Sequence, residues 1–350
     1  RPDDEFCIVY TSGTTGAPKG ILFDARAVST HAMVASLEYG MSAQSRWLTT
    51  IPHNSSVQIT LAPSFFMGGA VGFLDARGFD PHRFAAEVTA RQATHTYLVP
   101  TMLYRVLEAG IEASSLASLQ SIGYGAAPIA HDRVGELVDR FGPVFSQLYG
   151  MAEIASIGTM LRQSDHKRIA EGATRLAASA GRPSYLVDLR VVDDDGNDCA
   201  PGQRGEVLFH TPYAMRCYHR DPERTAQTLV DGWVRSGDIG QWDDEGYLYI
   251  VDRKKDLIIR GGYNITPSEI ENVLYRHPAV IEAAVVGLPD PEWGEAVVAA
   301  VALRAGASVE PDELRTWCRE AGLPSIKVPE RVLQFDALPK NAVGKIAKRS

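Results

Sequence analysis

The sequence predicts an α/β protein in two parts: a large N-terminal α/β domain that includes an antiparallel β segment, and a small α+β C-terminal domain. Strand-like apolar runs alternate with helical patterns up to about residue 185, an order typical of a sheet covered by helices. The pattern then changes to short strands joined by turns rich in Asp and Gly. A second change follows Lys255, which divides the chain into domains 1–254 and 255–350.

Apolar runs bounded by turn residues predict the strands, and apolar residues at helical spacing predict the helices. In the large domain the predicted strands are a buried strand Phe6–Tyr10, then Tyr97–Val99, Ser121–Tyr124, Leu186–Val192, Gly205–Phe209 and Gly246–Val251. The predicted helices there are Pro81–Arg91 and Ala130–Phe141. In the small domain we expect a helix capped by Thr266, strands Ile281–Val286 and Ala296–Leu303, and a helix from Pro311.

Composition excludes several classes of protein. The formal net charge of -8 argues against a nucleic-acid surface, which needs clustered Lys and Arg. The longest apolar run, Ala296–Leu303, is far shorter than the ~20 residues of a membrane span. Four widely spaced cysteines fit neither a zinc site nor a disulfide framework, so we expect free thiols in a reducing cytoplasm. The chain lacks an initiator Met, and a fragment of a longer protein is one expectation.

The strongest local signal is the segment from Tyr10 to Gly20. It combines three glycines (Gly13, Gly16 and Gly20) with Lys19 and four Ser and Thr hydroxyl side chains. Glycines let backbone N–H groups approach phosphate oxygens, and Lys19 adds positive charge. The segment is not a Walker loop, because Pro18 stands where that motif has Gly. A flexible surface loop is the alternative interpretation.

This segment resembles the phosphate-binding signature of the adenylate-forming superfamily, which includes acyl-CoA and aryl-CoA synthetases, luciferases and peptide-synthetase adenylation domains. The resemblance continues in the same order along nearly the whole chain. It implies that ATP phosphates bind at Thr11, Ser12, Gly13, Thr14, Thr15, Gly16 and Lys19.

Two further segments resemble the family's adenine-binding motifs. Gly125-Ala126-Ala127-Pro128 resembles the small-residue turn against which the adenine lies. Tyr149-Gly150-Met151-Ala152-Glu153 resembles the next motif, which implies that Tyr149 stacks on adenine and that Glu153 binds Mg²⁺. One carboxylate suffices because Mg²⁺ takes its other ligands from water and phosphate. Ala152 departs from the family, which usually has Thr there.

The remaining motifs imply ribose binding, domain rotation and thiol transfer. By resemblance, Asp238 and Arg253 bind the ribose hydroxyls, and Lys255 is the hinge about which the C-terminal domain rotates. Gly261 and Gly262 resemble the loop along which a thiol arm passes. Lys345, in the segment Pro339–Lys345, resembles the catalytic lysine. For Arg253 and Lys255 the alternative is a solvated charge run in a linker.

The expected acid pocket departs most from the family pattern. Counting back from Gly68-Gly69 places Ser55 where many relatives have His, with His53 two residues earlier. We assign the pocket to His53, Ser55, Ser56, Met151 and Ala152; a loop that only packs or solvates these groups is the alternative. No Asp occurs between residues 51 and 63, which favours an acid without an α-amino group. The polar segment favours an aromatic, polar or bulky acid, with a plain fatty acid as the alternative.

The resemblance as a whole implies a ligase that uses ATP and Mg²⁺ to convert a carboxylic acid to an acyl-adenylate. Transfer to coenzyme A follows, and a homodimer is among the expected states. An adenylating module that loads a carrier protein is the second hypothesis. A catalytically incomplete fragment is the third, because relatives usually have a long stretch before the phosphate loop.

Overall fold

The structure is a computed structural model that describes residues 1–11, 18–51, 57–74 (without the side chain of residue 57), 78–127, 129–304, 306–340, 346 and 348. The chain forms two units. The first comprises Arg1–Ser236 and Gln241–Tyr249, and the second comprises Gly237–Gly240 and Ile250–Ser350. The start of a mobile domain at Lys255 stays a prediction.

Numbered in chain order, the strands of the first unit begin with β1 (Glu5–Thr11), β2 (Lys19–Asp24), β3 (Arg46–Thr49), β4 (Ala70–Phe73), β5 (His95–Leu98), β6 (Ser121–Gly125), β7 (Phe145–Tyr149), β8 (Thr159–Leu161) and β9 (Arg182–Pro183). They continue with β10 (Asp188–Val192), β11 (Gly205–His210), β12 (Cys217–Tyr218), β13 (Leu229–Val230), β14 (Trp233–Trp242) and β15 (Leu248–Arg253), the last two of which extend into the second unit. The second unit adds β16 (Ile258–Arg260), β17 (Tyr263–Ile265), β18 (Val280–Asp290), β19 (Gly294–Leu303) and β20 (Arg331–Phe335).

The α-helices are α1 (Ala25–Glu38), α2 (Ala62–Met67), α3 (Pro81–Arg91), α4 (Pro100–Glu108), α5 (His131–Phe141), α6 (Gln163–Ala170), α7 (Pro222–Thr228), α8 (Pro267–Tyr275) and α9 (Pro311–Glu320). Helix α3 shows why such helices begin where they do. The Asp80 carboxylate accepts the N–H of Arg83 at 2.8 Å, and Pro81 occupies the first helical position. No helix in the described part of the chain is long and apolar enough to cross a membrane.

A seven-stranded sheet in the order β4-β3-β5-β6-β7-β8-β9 forms the centre of the first unit. Its first five strands are parallel, whereas β8 and β9 pair antiparallel with their neighbours. Neighbouring parallel strands end at the same edge of a sheet, so residues that follow β6 and β7 come together there. The predicted α/β class is confirmed.

The main core of this unit lies between the sheet and helices α3 to α6. It includes Phe84, Leu103, Leu137 and Phe145, each about 1% exposed or less. Each such side chain contributes roughly 1.5–3 kcal/mol through burial. The sheet is therefore a rigid base for the loops at its edge.

Two smaller sheets complete the strand pairing. One has the order β10-β11-β14-β13, with β15 on β14, and the other has the order β1-β2-β12. Strands β10 and β11 pair antiparallel, as the sequence predicts for Leu186–Val192 and Gly205–Phe209. The small sheet brings β12 beside β2 although almost 200 residues separate them. This pairing places Tyr218 close to Lys19, the first residue of β2.

The second unit is an α+β layer. Its sheet has the order β17-β16-β19-β18, and β20 pairs with β19 in parallel. Helices α8 and α9 cover it through a core that includes Ile270, Leu274, Val285, Val301 and Leu314. The predicted helices and the two long strands are present, whereas the sequence did not predict β20.

Two sequence predictions are corrected here. Strand β1 forms, but it is not buried: Phe6 is 63% exposed and Tyr10 is 60% exposed, because β1 lies at the edge of the three-stranded sheet. Thr266 occupies the N-cap of α8, but its side chain makes no capping hydrogen bond. The N–H of Ser268 instead donates to the Asp252 carboxylate at 2.9 Å, so a neighbouring segment caps this helix.

Candidate functional site

The carboxyl ends of β6 and β7 bring two of the predicted motifs together. These strands are parallel neighbours, with Gly125 paired to Leu148. The segment Gly125–Ala127 therefore starts beside Tyr149, the last residue of β7. Pro128, the fourth residue of the small-residue turn, lies outside the described residues.

Packing dictates a glycine at the start of this turn. A Cβ atom on Gly125 would lie 2.4 Å from the carbonyl oxygen of Leu148 and 3.1 Å from the hydroxyl of Tyr97. The next residue, Ala126, adopts a positive φ of 67°, which is uncommon outside glycine. The two exposed residues that follow, Ala126 and Ala127, present small side chains beside the end of β7.

The segment after β7 forms a tight turn that places the predicted metal ligand. Ala152–Ile154 is a single 3₁₀ turn. The carbonyl of Met151 accepts the N–H groups of Ile154 and Ser156 at 3.1 and 2.9 Å. The ring of Tyr149 packs at 6.0 Å, centroid to centroid, from Phe209. Ala152 thus begins the turn, directly before Glu153.

Glu153 is 7% exposed and is held at two points. Its Oε1 accepts the phenol O–H of Tyr218 at 2.5 Å, and its carbonyl accepts the N–H of Met215 at 2.7 Å. Burial, followed by the Glu153 charge, raises the pKa of the Tyr218 phenol well above its usual range. The phenol therefore stays protonated and donates to the carboxylate.

The predicted phosphate loop connects β1 to β2 as a hairpin. Thr11 and Lys19 are paired across it, while Ser12, Gly13, Thr14, Thr15 and Gly16 lie outside the described residues. The Lys19 ammonium nitrogen lies 5.3 Å from the centroid of the Tyr218 ring. Both predicted charged groups of the phosphate site, Lys19 and Glu153, therefore contact the same tyrosine.

The donor set fits Mg²⁺ that is bound together with a nucleotide. Glu153 supplies one buried carboxylate, and the described residues contain no group of three or more His, Cys, Asp or Glu side chains arranged to hold a metal ion. A closed protein cage would need more ligands, whereas nucleotide-bound Mg²⁺ needs one or two carboxylates and uses phosphate and water for the rest.

The second unit brings the two predicted ribose ligands together. Arg253 Nε lies 3.3 Å from Asp238 Oδ1. The side chain of Asp238 is 13% exposed, and that of Arg253 is 51% exposed. Lys255 follows in a 3₁₀ turn, Lys254–Asp256, with its side chain exposed.

Gly261 and Gly262 form the two-residue turn of the β16–β17 hairpin. Both have positive φ, 55° and 82°, as the favoured two-residue hairpin turn requires. The N–H of Gly261 donates to the carbonyl of Trp293 at 2.8 Å. A Cβ atom on Gly261 would lie 2.9 Å from the Trp293 ring, so a side chain there would collide with the indole.

Several predicted site residues lie outside the described residues: Lys345 and the pocket residues His53, Ser55 and Ser56. Two lysines close to Lys345 in sequence form ion pairs: Lys340 pairs with Glu282, and Lys348 pairs with Glu271 at 2.6 Å. The remaining pocket residues, Met151 and Ala152, are half-buried.

Sequence reasoning missed Tyr218. No periodicity or spacing connects it with Glu153, which is 65 residues earlier in the chain. The pairing of β12 with β2 and the turn after β7 create the contact, and both are tertiary features. The sequence shows only a single tyrosine before the helix start at Asp221-Pro222. Without the fold, that pattern does not indicate a contact with Glu153.

Two family models match separate parts of the chain. Residues 1–219 match the model "AMP-binding enzyme", and residues 269–345 match "AMP-binding enzyme C-terminal domain". The first match contains Lys19, Tyr149, Glu153 and Tyr218, and the second ends at Lys345.

Curated relatives match along the full chain. A medium/long-chain-fatty-acid–CoA ligase, FadD8, of Mycobacterium tuberculosis is 34% identical and covers 100% of the chain and 61% of that relative. A feruloyl-CoA synthase of an Amycolatopsis species is 37% identical, with 99% and 69% covered. A fatty acid–[acyl-carrier-protein] ligase, ScoC, of Streptomyces coeruleorubidus is 34% identical, with 99% and 67% covered. The chain thus spans about 61–69% of the length of these relatives.

A solved structure has the same fold. The o-succinylbenzoate coenzyme A synthetase (MenE) of Bacillus subtilis, in complex with ATP and magnesium ion, superimposes with a TM-score of 0.89 at 32% identity. The match covers 99% of this chain and 70% of that one.

Proposed function

The chain belongs to the AMP-binding enzyme family, and from this premise we propose that it catalyses the ATP-dependent joining of a carboxylic acid to coenzyme A. The observation that carries the proposal is the shared edge of β6 and β7. There the small-residue turn at Gly125 lies beside the segment that presents Tyr149 and Glu153. The CoA-ligase names of the relatives support the same reaction class.

In the first step, a carboxylate oxygen of the acid attacks the α-phosphorus of ATP. The bond from that phosphorus to the bridging oxygen breaks, and pyrophosphate leaves with the electron pair. Lys19 and Lys345 would supply fixed positive charge where negative charge develops. Glu153 would hold Mg²⁺, which supplies further positive charge to the phosphate oxygens. Asp238 would accept hydrogen bonds from the ribose hydroxyls.

In the second step, the thiol sulfur of coenzyme A attacks the carbonyl carbon of the acyl-adenylate. The carbon–oxygen bond to AMP breaks, AMP leaves, and the thiol proton passes to solvent. We propose that the C-terminal domain rotates about Lys255 between the steps, so that Lys345 leaves and the Gly261-Gly262 turn enters. The resemblance of these motifs supports this rotation, and the glycine turn offers the thiol arm a backbone without side chains.

A carrier protein is the second candidate acceptor. The name of one relative, a fatty acid–[acyl-carrier-protein] ligase, favours it. The first half-reaction is common to the two candidates, because the acceptor thiol enters only in the second.

The test is a pyrophosphate-release assay with ATP, Mg²⁺ and a panel of straight-chain, aromatic and hydroxylated acids. We expect release that depends on one acid class and on Mg²⁺. Adding coenzyme A or a carrier protein to the reactive acid then identifies the acceptor by thioester formation. If no acid gives pyrophosphate while ATP still binds, the chain is a catalytically incomplete fragment and the proposal is wrong.

A further inference from the structure

One tyrosine connects the two charged groups of the predicted phosphate site. Tyr218 is 3% exposed and contacts Glu153 through its hydroxyl and Lys19 through its ring. Glu153 belongs to the turn after β7, whereas Lys19 begins β2. Strands β7 and β2 belong to different sheets, and Tyr218 touches the charged residue that follows β7 and the one that begins β2.

The tyrosine itself is fixed by the backbone. Tyr218 pairs with Ile21 in the β12–β2 ladder, and its N–H donates to the Thr225 hydroxyl at 3.0 Å. The following residue, His219, donates its N–H to the carbonyl of Gly20 at 2.7 Å. These contacts fix the backbone of Tyr218, and burial of its ring leaves the hydroxyl little freedom beside the Glu153 carboxylate.

The contact between phenol and carboxylate is a charge-assisted hydrogen bond of the short kind. It occupies Oε1 of Glu153, and a carboxylate with one oxygen so held can still offer the other to a cation. Partners that bind a metal ligand from behind fix its orientation, and their loss typically costs 10–100-fold in metal affinity. The ring contact with Lys19 adds a cation–π attraction.

We propose that Tyr218 is a positioning residue of the Mg²⁺–ATP site, with two separable roles. Its hydroxyl orients the Glu153 carboxylate for the metal, and its ring holds the Lys19 ammonium near the phosphates. The proposal rests on the proposed function, because Glu153 and Lys19 act on ATP phosphates only in that reaction.

The test compares wild type, Tyr218→Phe, Tyr218→Leu and the matched control Tyr213→Phe. Tyr213 is also fully buried and also donates its phenol hydrogen, but to the carbonyl of Ile157 at 2.9 Å. Calorimetry measures ATP affinity over a series of Mg²⁺ concentrations and in EDTA. Electron paramagnetic resonance of Mn²⁺ measures metal binding directly, and thermal unfolding shows whether each variant is folded.

For Tyr218→Phe we expect the Mg²⁺ concentration at half-saturation to rise about tenfold, equivalent to about 1.4 kcal/mol. ATP affinity in EDTA should stay unchanged, and excess Mg²⁺ should restore wild-type binding. Tyr218→Leu should also weaken ATP binding in EDTA by about threefold, through the lost ring contact. Tyr213→Phe should lower the melting temperature without moving the Mg²⁺ requirement.

Two results would overturn the role of Tyr218: an unchanged Mg²⁺ requirement in Tyr218→Phe, or equal shifts in Tyr218→Phe and Tyr213→Phe. If the wild-type protein binds ATP without any dependence on Mg²⁺, the proposed function is wrong, and the positioning role of Tyr218 is wrong with it.

Discussion

At the scale of single residues, Asp238 and Arg253 are the two predicted ribose ligands that the structure brings into contact. Their 3.3 Å ion pair includes a half-exposed guanidinium, and such pairs contribute little to stability. The ion pair places the two side chains together, and their role as ribose ligands stays a prediction. A carboxylate can accept from both ribose hydroxyls, while a neighbouring guanidinium holds it in place.

We predict that Asp238→Ala weakens ATP binding by roughly 2–3 kcal/mol, in the upper part of the range for hydrogen bonds to a charged group. The apparent affinity for the acid should change little. Asp244→Ala, an exposed loop carboxylate of the neighbouring turn, is the matched control and should leave ATP affinity as in wild type. Equal ATP affinity of Asp238→Ala and wild type by calorimetry would remove Asp238 from the site.

At the scale of elements, β6 contains a glycine, Gly123, against which two buried tyrosine rings pack. Gly123 lies under the rings of Tyr39 and Tyr97, which are 3% and 2% exposed. Neither phenol has a hydrogen-bond partner among the described residues, and burial raises the pKa of both. The two rings therefore occupy the space that a side chain on β6 would fill.

We predict that Gly123→Ala lowers the free energy of unfolding by about 1–3 kcal/mol, a typical cost of overpacking. The new Cβ would lie 2.9 Å from Tyr39 Cε1 and 3.0 Å from Tyr97 Cδ2, and both rings are enclosed. The control is Gly135→Ala in helix α5, where no atom beyond the chain neighbours and the helix's own backbone lies within 4 Å of the new methyl group. There we expect a gain of about 0.5–1 kcal/mol. Denaturant unfolding measures both, and a stabilised Gly123→Ala would show that the rings move aside.

The elements that the sequence predicts are those with long local patterns. Helices α3 and α5 lie within one residue of their predicted bounds, and helices α8 and α9 start at the predicted residues Pro267 and Pro311. Strands β8 and β9 have three and two residues, too few for a period. Strand β7 buries the polar Ser146 beside Phe145, because both faces of a central strand are covered.

At the scale of the whole molecule, the predicted site residues are distributed over both units. Lys19, Tyr149 and Glu153 belong to the first, whereas Asp238 and Arg253 belong to the second. Sequence motifs identify these residues because each motif is local. Tyr218 escapes prediction because its contact with Glu153 depends on pairing between distant strands. The predicted boundary at Lys255 assigns Asp238 to the large domain, whereas residues 237–240 cluster with the second unit.

We predict that Lys345→Ala lowers the rate of acyl-adenylate formation by about 10²–10³-fold, the usual loss when one group that stabilises developing charge is removed. Thioester formation from preformed acyl-adenylate should stay near wild type, because the lysine is proposed to leave before the thiol enters. The control is Lys327→Ala, in the same unit, where the ammonium pairs with Glu269 at 2.6 Å; both half-reactions should persist. Pyrophosphate release measures the first half-reaction, and AMP release from synthetic acyl-adenylate measures the second. Equal loss of both in Lys345→Ala would mean that the lysine stays at the reacting centre throughout, and the proposed exchange of Lys345 for the Gly261-Gly262 turn would be wrong.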